Sequence, residues 1–387
     1  YLNYMTYKLT IEGWRFLPHS YSIINQFQCL EFLRREKIEL FHQDFPYHKD
    51  TWVPHEHLFS PVEELALSNI SSPAIDQLSD VTLRISYPFC LESSKSKRTY
   101  VFITSEESYI DKQAMWLDCS LAEALKKFDV VLITPSNWSK NGLINSGADP
   151  NRIEIVPHGI DPNIYKPLLA TERLLLRKQF GFENDFVFLN IGAMSINKRI
   201  DLVLKSFAKV LEKYPNSRLV LKGIDSIHSS REGLIYSLKN FLTEEEARLV
   251  IDRLTYIGVP LPFNEIAKLY QIADAYVSPY GAEGFNLPVL EAAASGLPII
   301  CTDGGATDDF VNSDFALRIE SKLVTPDWND EAIWLSPSLE HLIELMYYVI
   351  EKDSFRIDAQ VNGASFVHQN FTWSHVVDKL LDVFKLD

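Results

Sequence analysis

The chain has no run approaching the ~20 apolar residues that a bilayer-crossing helix needs, so no membrane span is expected, while peripheral membrane contact stays open. Cysteine is scarce. Cys29, Cys90, Cys119 and Cys301 are scattered, with no Cys-x-x-Cys pair and no metal-ligand spacing. That pattern points to reduced thiols in a cytoplasmic protein. Positive charge is also short: 37 Lys and Arg against 52 Asp and Glu give a net charge of −15. No Lys/Arg-dense face is evident, which argues against nucleic acid as a partner but leaves room for one local basic spot facing a diphosphate. The first residues, Tyr1-Leu-Asn-Tyr-Met-Thr-Tyr7, lack the charged and apolar regions of a secretory signal. No internal repeat and no low-complexity tract interrupts the chain.

What is present is a globular composition. The chain has 387 residues, 46% of them hydrophobic, enough for two or three domains at roughly 150 residues each. Apolar runs alternate with helical stretches. Lys8–Ile11 reads as a first strand, followed by the loop Glu12–His19. A helix is expected from about Ser20 to Arg35, capped by Ser20 or Ser22, with Ile23, Phe27, Leu30 and Leu33 on one face. Ile38–Phe41, Val81–Ile85, Arg98–Ile103, Val130–Thr134 and Ile153–Val156 read as further strands. Ser136 caps a helix running to about Ser146. After the charged helix Thr171–Phe180 the pattern restarts with Phe186–Ile191, a helix over Leu202–Tyr214 and the strand Arg218–Leu221. Val250–Ile257, the helix Phe263–Ile272 and the strand Ala273–Pro279 follow. Such alternation argues for an α/β chain with parallel sheets covered on both faces. The boundary is expected near Lys166-Pro167, and Phe371–Phe384 reads as an amphipathic helix.

The most informative segment is Tyr280-Gly-Ala-Glu-Gly-Phe-Asn-Leu-Pro-Val-Leu-Glu-Ala-Ala-Ala-Ser-Gly-Leu-Pro298. Glu283 lies in a loop beside Gly284. Glu291 lies about one turn into a helix that starts near Leu287-Pro288, since proline suits the first turn. The backbone N–H groups from Gly284 through Phe285 and Asn286 to Leu287 stand at the positive end of that helix. They suit hydroxyls and phosphate oxygens. A carboxylate one turn further on can accept two vicinal hydroxyls of a ribose.

Together with the strand Ala273–Pro279 before it and Gly296–Gly305 after it, this segment resembles the donor-nucleotide motif of retaining glycosyltransferases of family 4. Those enzymes carry two glutamates separated by seven residues. The resemblance implies a GT-B fold, two Rossmann-like domains facing across a cleft. It also implies an acceptor-side domain over 1–167, a donor-binding domain over 168–370, and a C-terminal helix, 371–387, crossing back to the first. Gly192-Ala-Met-Ser-Ile-Asn-Lys-Arg-Ile-Asp201 is similar to the family's Gly-Arg, Lys-Gly-x-Asp pattern. Lys198 and Asp201 match; Ala193 stands for the Arg and Arg199 for the Gly. Lys198 is thereby implied as the leaving-group cation, with Arg199 either replacing the lost arginine or facing solvent. Ile155-Val-Pro-His-Gly-Ile-Asp161 resembles the interdomain segment, which makes His158 part of a structural turn rather than a catalytic base.

In the first domain the resemblance is looser. Relatives carry a His after the strand matching Tyr100–Ser105, and here Glu106 stands nearest that place. Gly13 opens the loop Gly13–Ser20, where relatives bind diphosphate and acceptor. The aromatics of that loop either stack on sugar rings or pack the loop itself. No Asp-x-Asp motif of the metal-dependent kind occurs, and Asp308-Asp309 are read as helix caps.

The reading is a retaining hexosyltransferase using a nucleotide-sugar donor and no metal or other cofactor. The donor expected is a UDP-sugar, leaning to UDP-glucose, with a GDP-sugar as the other choice. The partner is a saccharide or lipid-linked saccharide acceptor, in polysaccharide or glycoconjugate synthesis. The site residues implied are Lys198, Arg199, Glu283 and Glu106 for chemistry, and Glu291, Gly284, Phe285, Asn286, Leu287 and Gly13 for the donor. A nucleotide-sugar epimerase on the same fold needs first-domain acids and bases that are not evident. A phosphorylase needs a lysine in context for pyridoxal phosphate. A non-catalytic nucleotide-sugar-binding protein is the alternative outside enzymes.

Overall fold

The computed structural model describes residues 6–386. The reading of Tyr1–Tyr7 as lacking a signal falls mostly outside them. Two compact units divide the chain. Unit 1 runs to Gly159 and resumes at Trp373; unit 2 is Ile160–Thr372. Among the described residues no helix is long and apolar enough to cross a membrane, and all four cysteines are free.

Unit 1 holds a six-stranded sheet of β1 (Tyr7–Gly13), β2 (Ile38–Asp44), β3 (Ser79–Ile85), β4 (Ser96–Phe102), β5 (Val131–Thr134) and β6 (Ile153–Ile155). The order is β2-β1-β3-β4-β5-β6, and every pairing is parallel. The chain steps from β1 to one side for β2 and then to the other for β3. The carboxyl ends of β1 and β3 therefore flank the point where strand order reverses, where open α/β sheets bind ligands. Gly13 ends β1 against Ile85 at the end of β3. A Cβ on Gly13 would come to 2.3 Å from the Ile85 carbonyl oxygen and 2.9 Å from Asn25 Nδ2. Only glycine permits this approach.

The first helix covers Ser20–Phe32, and neither expected serine caps it. The His19 ring accepts from the Tyr21 amide at 3.2 Å. Ser22 is already committed, accepting from the Leu17 amide and from Gln26 Nε2. The helix stops at Phe32, so Leu33 lies past the apolar stripe and is 44% exposed. Ser136 does cap the helix Asn137–Asn145, accepting from Ser139 N at 3.0 Å.

The last helix, Trp373–Phe384, returns to unit 1. Trp373 stacks on Phe27 with ring centroids 5.4 Å apart and planes 6° apart. Phe384 packs on Tyr100, and Arg35 pairs with Asp378 at 2.8 Å. This helix begins two residues later than expected, because Phe371 stays with unit 2 and accepts the Ile160 amide at 2.8 Å. The division at Gly159 also precedes the expected Pro167. Tyr165 explains this: it is fully buried and packs edge-on against Tyr270 of unit 2.

Unit 2 repeats the plan with β7 (Phe186–Ile191), β8 (Ser217–Lys222), β9 (Leu254–Ile257), β10 (Ala275–Ser278), β11 (Ile299–Thr302) and β12 (Ala316–Ile319). Their order is β12-β11-β10-β7-β8-β9, again all parallel. Phe188, Leu219, Leu221, Ala275, Val277 and Ile300 point to one face and join Val203 and Phe207 of the helix Ile200–Lys213 in one core. The sequence reading did not anticipate the antiparallel hairpin of β13 (Ser321–Val324) and β14 (Trp334–Pro337). It also missed the helices Leu339–Glu351 and Asp353–Asn370.

Gly13→Ala should cost about 1–3 kcal/mol, because the added methyl meets backbone rather than a mobile side chain. The loss should appear as a lower urea midpoint at unchanged m-value. An unchanged midpoint would mean that the ends of β1 and β3 can move apart freely.

Candidate functional site

In unit 2 the strand order reverses between β7 and β10. The two strands pair only over Ala275↔Phe188 and Tyr276↔Leu189, then diverge. Side chains bridge them beyond that. The Tyr276 hydroxyl donates to the Ile191 carbonyl at 3.1 Å and accepts the Ile191 amide at 3.2 Å. Asn190 Nδ2 donates to the Val277 carbonyl at 2.7 Å. The chain leaves β7 through Gly192 at φ +154°, and the position of a Cβ there is open space. A short turn, Ile196–Lys198, then leads to Arg199 in the left-handed region at φ 52°, ψ 47°. Glycine adopts that conformation without strain, which accounts for a glycine at this place in the resembled pattern.

The turn is fastened to the loop after β10. The Asn197 carbonyl accepts the Gly281 amide at 2.8 Å, and Asn197 Nδ2 donates to the Ala282 carbonyl at 3.2 Å. The next residue on each side is then brought to its partner: the Lys198 ammonium pairs with Glu283 Oε1. Both side chains are largely buried, 22% and 7% exposed. The structure thus brings together two predicted site residues that are far apart in sequence. Arg199 goes elsewhere. Its guanidinium makes two bonds to the Asp201 carboxylate, each 3.0 Å, so its charge is committed to its own helix start.

The loop Gly284–Leu287 offers backbone rather than side chains. The Phe285 ring is buried and stacked on Phe310 at 4.7 Å. Asn286 is left-handed at φ 73° and its Nδ2 donates to Ser278 Oγ at 2.9 Å. The helix Leu287–Ala294 starts there with a proline in its first turn. Glu291 lies in it, 8% exposed, and its Oε2 accepts the Tyr270 hydroxyl at 2.7 Å. Burial pushes its carboxyl up to about 7, against the opposing hydrogen bonds of Tyr270 and Tyr165. The sequence reading gave Glu291 to a ribose and missed both tyrosines. It also missed Lys222, a 3% exposed cation at the carboxyl end of β8.

The remaining candidates belong to unit 1. Gly13 serves the close approach described above. Trp14 is 1% exposed, packs edge-on against Trp52 and donates from Nε1 to the Pro46 carbonyl, so this aromatic packs the loop. In the same loop Arg15 holds Asp44 through Nε and Nη2 at 2.8 and 2.6 Å. Burial raises the Asp44 carboxyl, and hydrogen bonds from Arg15 and His42 outweigh it and hold the group well below the usual carboxylate range. Glu106 is exposed in the segment after β4, and its carbonyl accepts Trp138 Nε1 at 2.8 Å. His158 is 5% exposed beside Phe102, and burial lowers its ring to about 3. A neutral, packed ring fits the turn reading. Asp308 and Asp309 do not cap a helix. They lie inside the short turn Ala306–Asp309, where Asp308 accepts the Gly304 amide at 3.1 Å.

Residues 172–334 match the family model described as glycosyl transferases group 1. The D-inositol 3-phosphate glycosyltransferase of Rhodococcus jostii is 26% identical over 245 residues, covering 62% of this chain and 48% of that protein. The chain thus spans about half the length of the relatives it matches. In fold, it is similar to HepE of Anabaena, solved with UDP-glucose, at TM-score 0.69 and 13% identity over 98% of this chain and 99% of that one. It is also similar to WaaG, a glycosyltransferase involved in lipopolysaccharide biosynthesis, at TM-score 0.64 and 14% identity over 98% and 100%. The architecture is GT-B.

Glu291 should make stability pH-dependent. Its folded carboxyl titrates at about 7 against 4.5 as a model group. Between those values the folded state binds the extra proton, so stability falls as pH rises through the window. The loss is complete above pH 7 and amounts to ~3 kcal/mol at most. Glu291→Gln removes the titration. It should be more stable than the parent above pH 7, with the gap closing toward pH 4.5 in urea melts. Parallel pH profiles would refute the raised carboxyl.

Proposed function

We propose that this protein is a retaining GT-B glycosyltransferase that moves a hexose from a nucleoside diphosphate donor, a UDP-sugar by preference, to a saccharide or lipid-linked saccharide. The observation that carries the reading is the Lys198–Glu283 pair clasped where strand order reverses between β7 and β10. The group 1 match over this unit and the glycosyltransferase relatives support it. UDP-glucose bound to a protein of the same fold supports the donor class.

In this reading the diphosphate meets the Lys198 ammonium and the first-turn amides of the helix Leu287–Ala294. As the bond from the anomeric carbon to the phosphate oxygen breaks, negative charge grows on that oxygen. A fixed cation stabilises the growing charge more than the ground state, which lowers the barrier. Glu283, released from Lys198 by the competing diphosphate, can accept hydroxyls of the transferred sugar. The acceptor oxygen bonds the anomeric carbon on the face the phosphate leaves, and its proton passes to the leaving phosphate oxygen. No enzyme nucleophile is then required. Glu291 serves the ribose by exchanging its Tyr270 bond for the ribose hydroxyls.

Thermal shift against a panel of nucleotide sugars identifies the donor, since a ligand bound only by the folded state raises its stability. Release of nucleoside diphosphate on adding acceptor then reports transfer. Lys198→Ala should cut turnover ~10²–10³-fold with a smaller effect on donor affinity. Arg199→Ala should be mild, because its charge is spent on Asp201. A severe Arg199 defect beside a near-normal Lys198 variant would reassign the leaving-group cation.

Transfer should also persist in EDTA, with the ammonium and the helix start supplying the positive charge. Loss of activity that magnesium or manganese restores would overturn the metal-free part of the proposal.

A further inference from the structure

Lys222 is an anomaly in the core of unit 2. It is 3% exposed, yet an ammonium has three donors and no acceptor. Among the described residues its Nζ donates to one partner, the Gly223 carbonyl. The carboxylate whose charge acts on it is that of Asp225. Asp225 itself is taken by others: its Oδ1 accepts the Tyr256 hydroxyl at 2.6 Å and the Arg231 amide at 3.0 Å, and Arg231 Nε lies 3.4 Å from Oδ2. Burial lowers the ammonium to about 8, with Asp225 opposing the shift. A buried cation with donors to spare is costly unless something supplies acceptors.

Its position says what would supply them. Side chains alternate along a strand. Leu219 and Leu221 join the core beneath one face of the sheet, as do Ala275 and Val277. Lys222 and Tyr276 therefore point to the opposite face. Tyr276 stands there with Tyr270, which holds Glu291. In register Lys222 lies beside Ile191, and the Gly192 amide donates to its carbonyl at 3.0 Å. Lys222 is thus on the Glu291 face, at the carboxyl end, one strand beyond β7. A nucleoside diphosphate sugar is longer than one strand spacing of about 4.8 Å. With its diphosphate at the β7–β10 reversal it must run over a neighbouring strand end. On the β11 side Thr302 Oγ1 already donates to the Tyr280 carbonyl and the Tyr280 hydroxyl bonds Thr307 Oγ1. The β8 side presents the unfilled donors of Lys222 and the open space beside Gly192.

We infer that Lys222 is a specificity-determining residue that donates to a ring carbonyl of the donor's nucleobase. A uracil or guanine carbonyl accepts such a bond. Adenine has no carbonyl: where uracil and guanine carry their oxygen it carries an amino group, and its acceptors are ring nitrogens set closer in, so an ammonium placed for the carbonyl oxygen loses that bond. This rests on the nucleotide-sugar reading above. A group built to hydrogen-bond one partner rejects an analogue that lacks it, since the buried donor is then left unsatisfied.

Calorimetric binding of UDP, GDP, ADP and inorganic pyrophosphate to the parent, Lys222→Met and Lys222→Gln tests it. The parent should bind UDP or GDP at least tenfold more tightly than ADP. Lys222→Met, close in length but without donors, should lose that preference by weakening the carbonyl-bearing nucleotide about tenfold or more, with pyrophosphate unchanged. Lys222→Gln keeps an N–H donor and should retain part of the preference. If Lys222→Met fails to fold, the glutamine variant decides alone: an undiminished preference refutes the inference. Equal weakening of UDP and pyrophosphate would make Lys222 a phosphate cation, and unchanged binding would make it a structural one; either overturns the inference. A parent that binds no nucleoside diphosphate would overturn the functional reading itself.

Discussion

The Asn197 backbone carbonyl takes the Gly281 amide, and the Asn197 side chain returns a bond to the Ala282 carbonyl. These bonds join two loops whose parent strands share only two paired positions. Parallel strands that diverge leave backbone donors and acceptors that must be satisfied somewhere. Here one residue satisfies several of them at once and fixes the registry of the loops. Lys198 follows Asn197 and Glu283 follows Ala282, so the clasp sets the distance between ammonium and carboxylate. A hydrogen-bonding necessity of the fold thereby positions a chemical pair.

The two glutamates of the same segment end in opposite circumstances. Glu283 has a cation at its oxygen. Glu291 is met by the phenolic hydroxyls of Tyr270 and Tyr165, deep in the protein, with no cation paired to its carboxylate among the described residues. Desolvation therefore dominates at Glu291, favouring the protonated acid, while direct Coulomb attraction acts at Glu283. Two residues of one type, a helix turn and a loop apart, meet different electrostatic surroundings. The tyrosines that create this difference come from distant parts of unit 2, Tyr165 near its start and Tyr270 in the helix Phe263–Ile272.

This distance marks what could be read from sequence. Strands such as Phe186–Ile191 and the helix Phe263–Ile272 were legible to the residue, because period and punctuation are local. The Glu283–Glu291 spacing and the Lys198 turn were legible as a pattern. What was hidden depended on tertiary partners. Ser22 looked like a cap and is spent on Leu17 and Gln26. Phe285 was read for its backbone N–H, and the packing of its ring on Phe310 was not anticipated. Arg199 was read as either replacing the missing arginine or facing solvent, and its bond to Asp201 was not anticipated. Lys222 drew no notice because one lysine ending an apolar strand has no sequence signature. The helix Asp353–Asn370 exposes Ile357 and Val361 and so shows no clean apolar stripe to read.

The path of the chain has a consequence for synthesis. Unit 1 is interrupted at Gly159 and completed only by Trp373–Phe384, whose Trp373 stacks on Phe27. Unit 2 is continuous, and its two ends lie together, Ile160 bonded to Phe371. On a ribosome the nascent first unit must therefore wait, with the surface around Phe27 uncovered, until all of the second has been made. Unit 2 has every one of its strands before the tryptophan emerges. Domains that fold as the chain appears normally do so from the amino terminus. In this molecule the earlier unit is the one whose last segment is synthesised last.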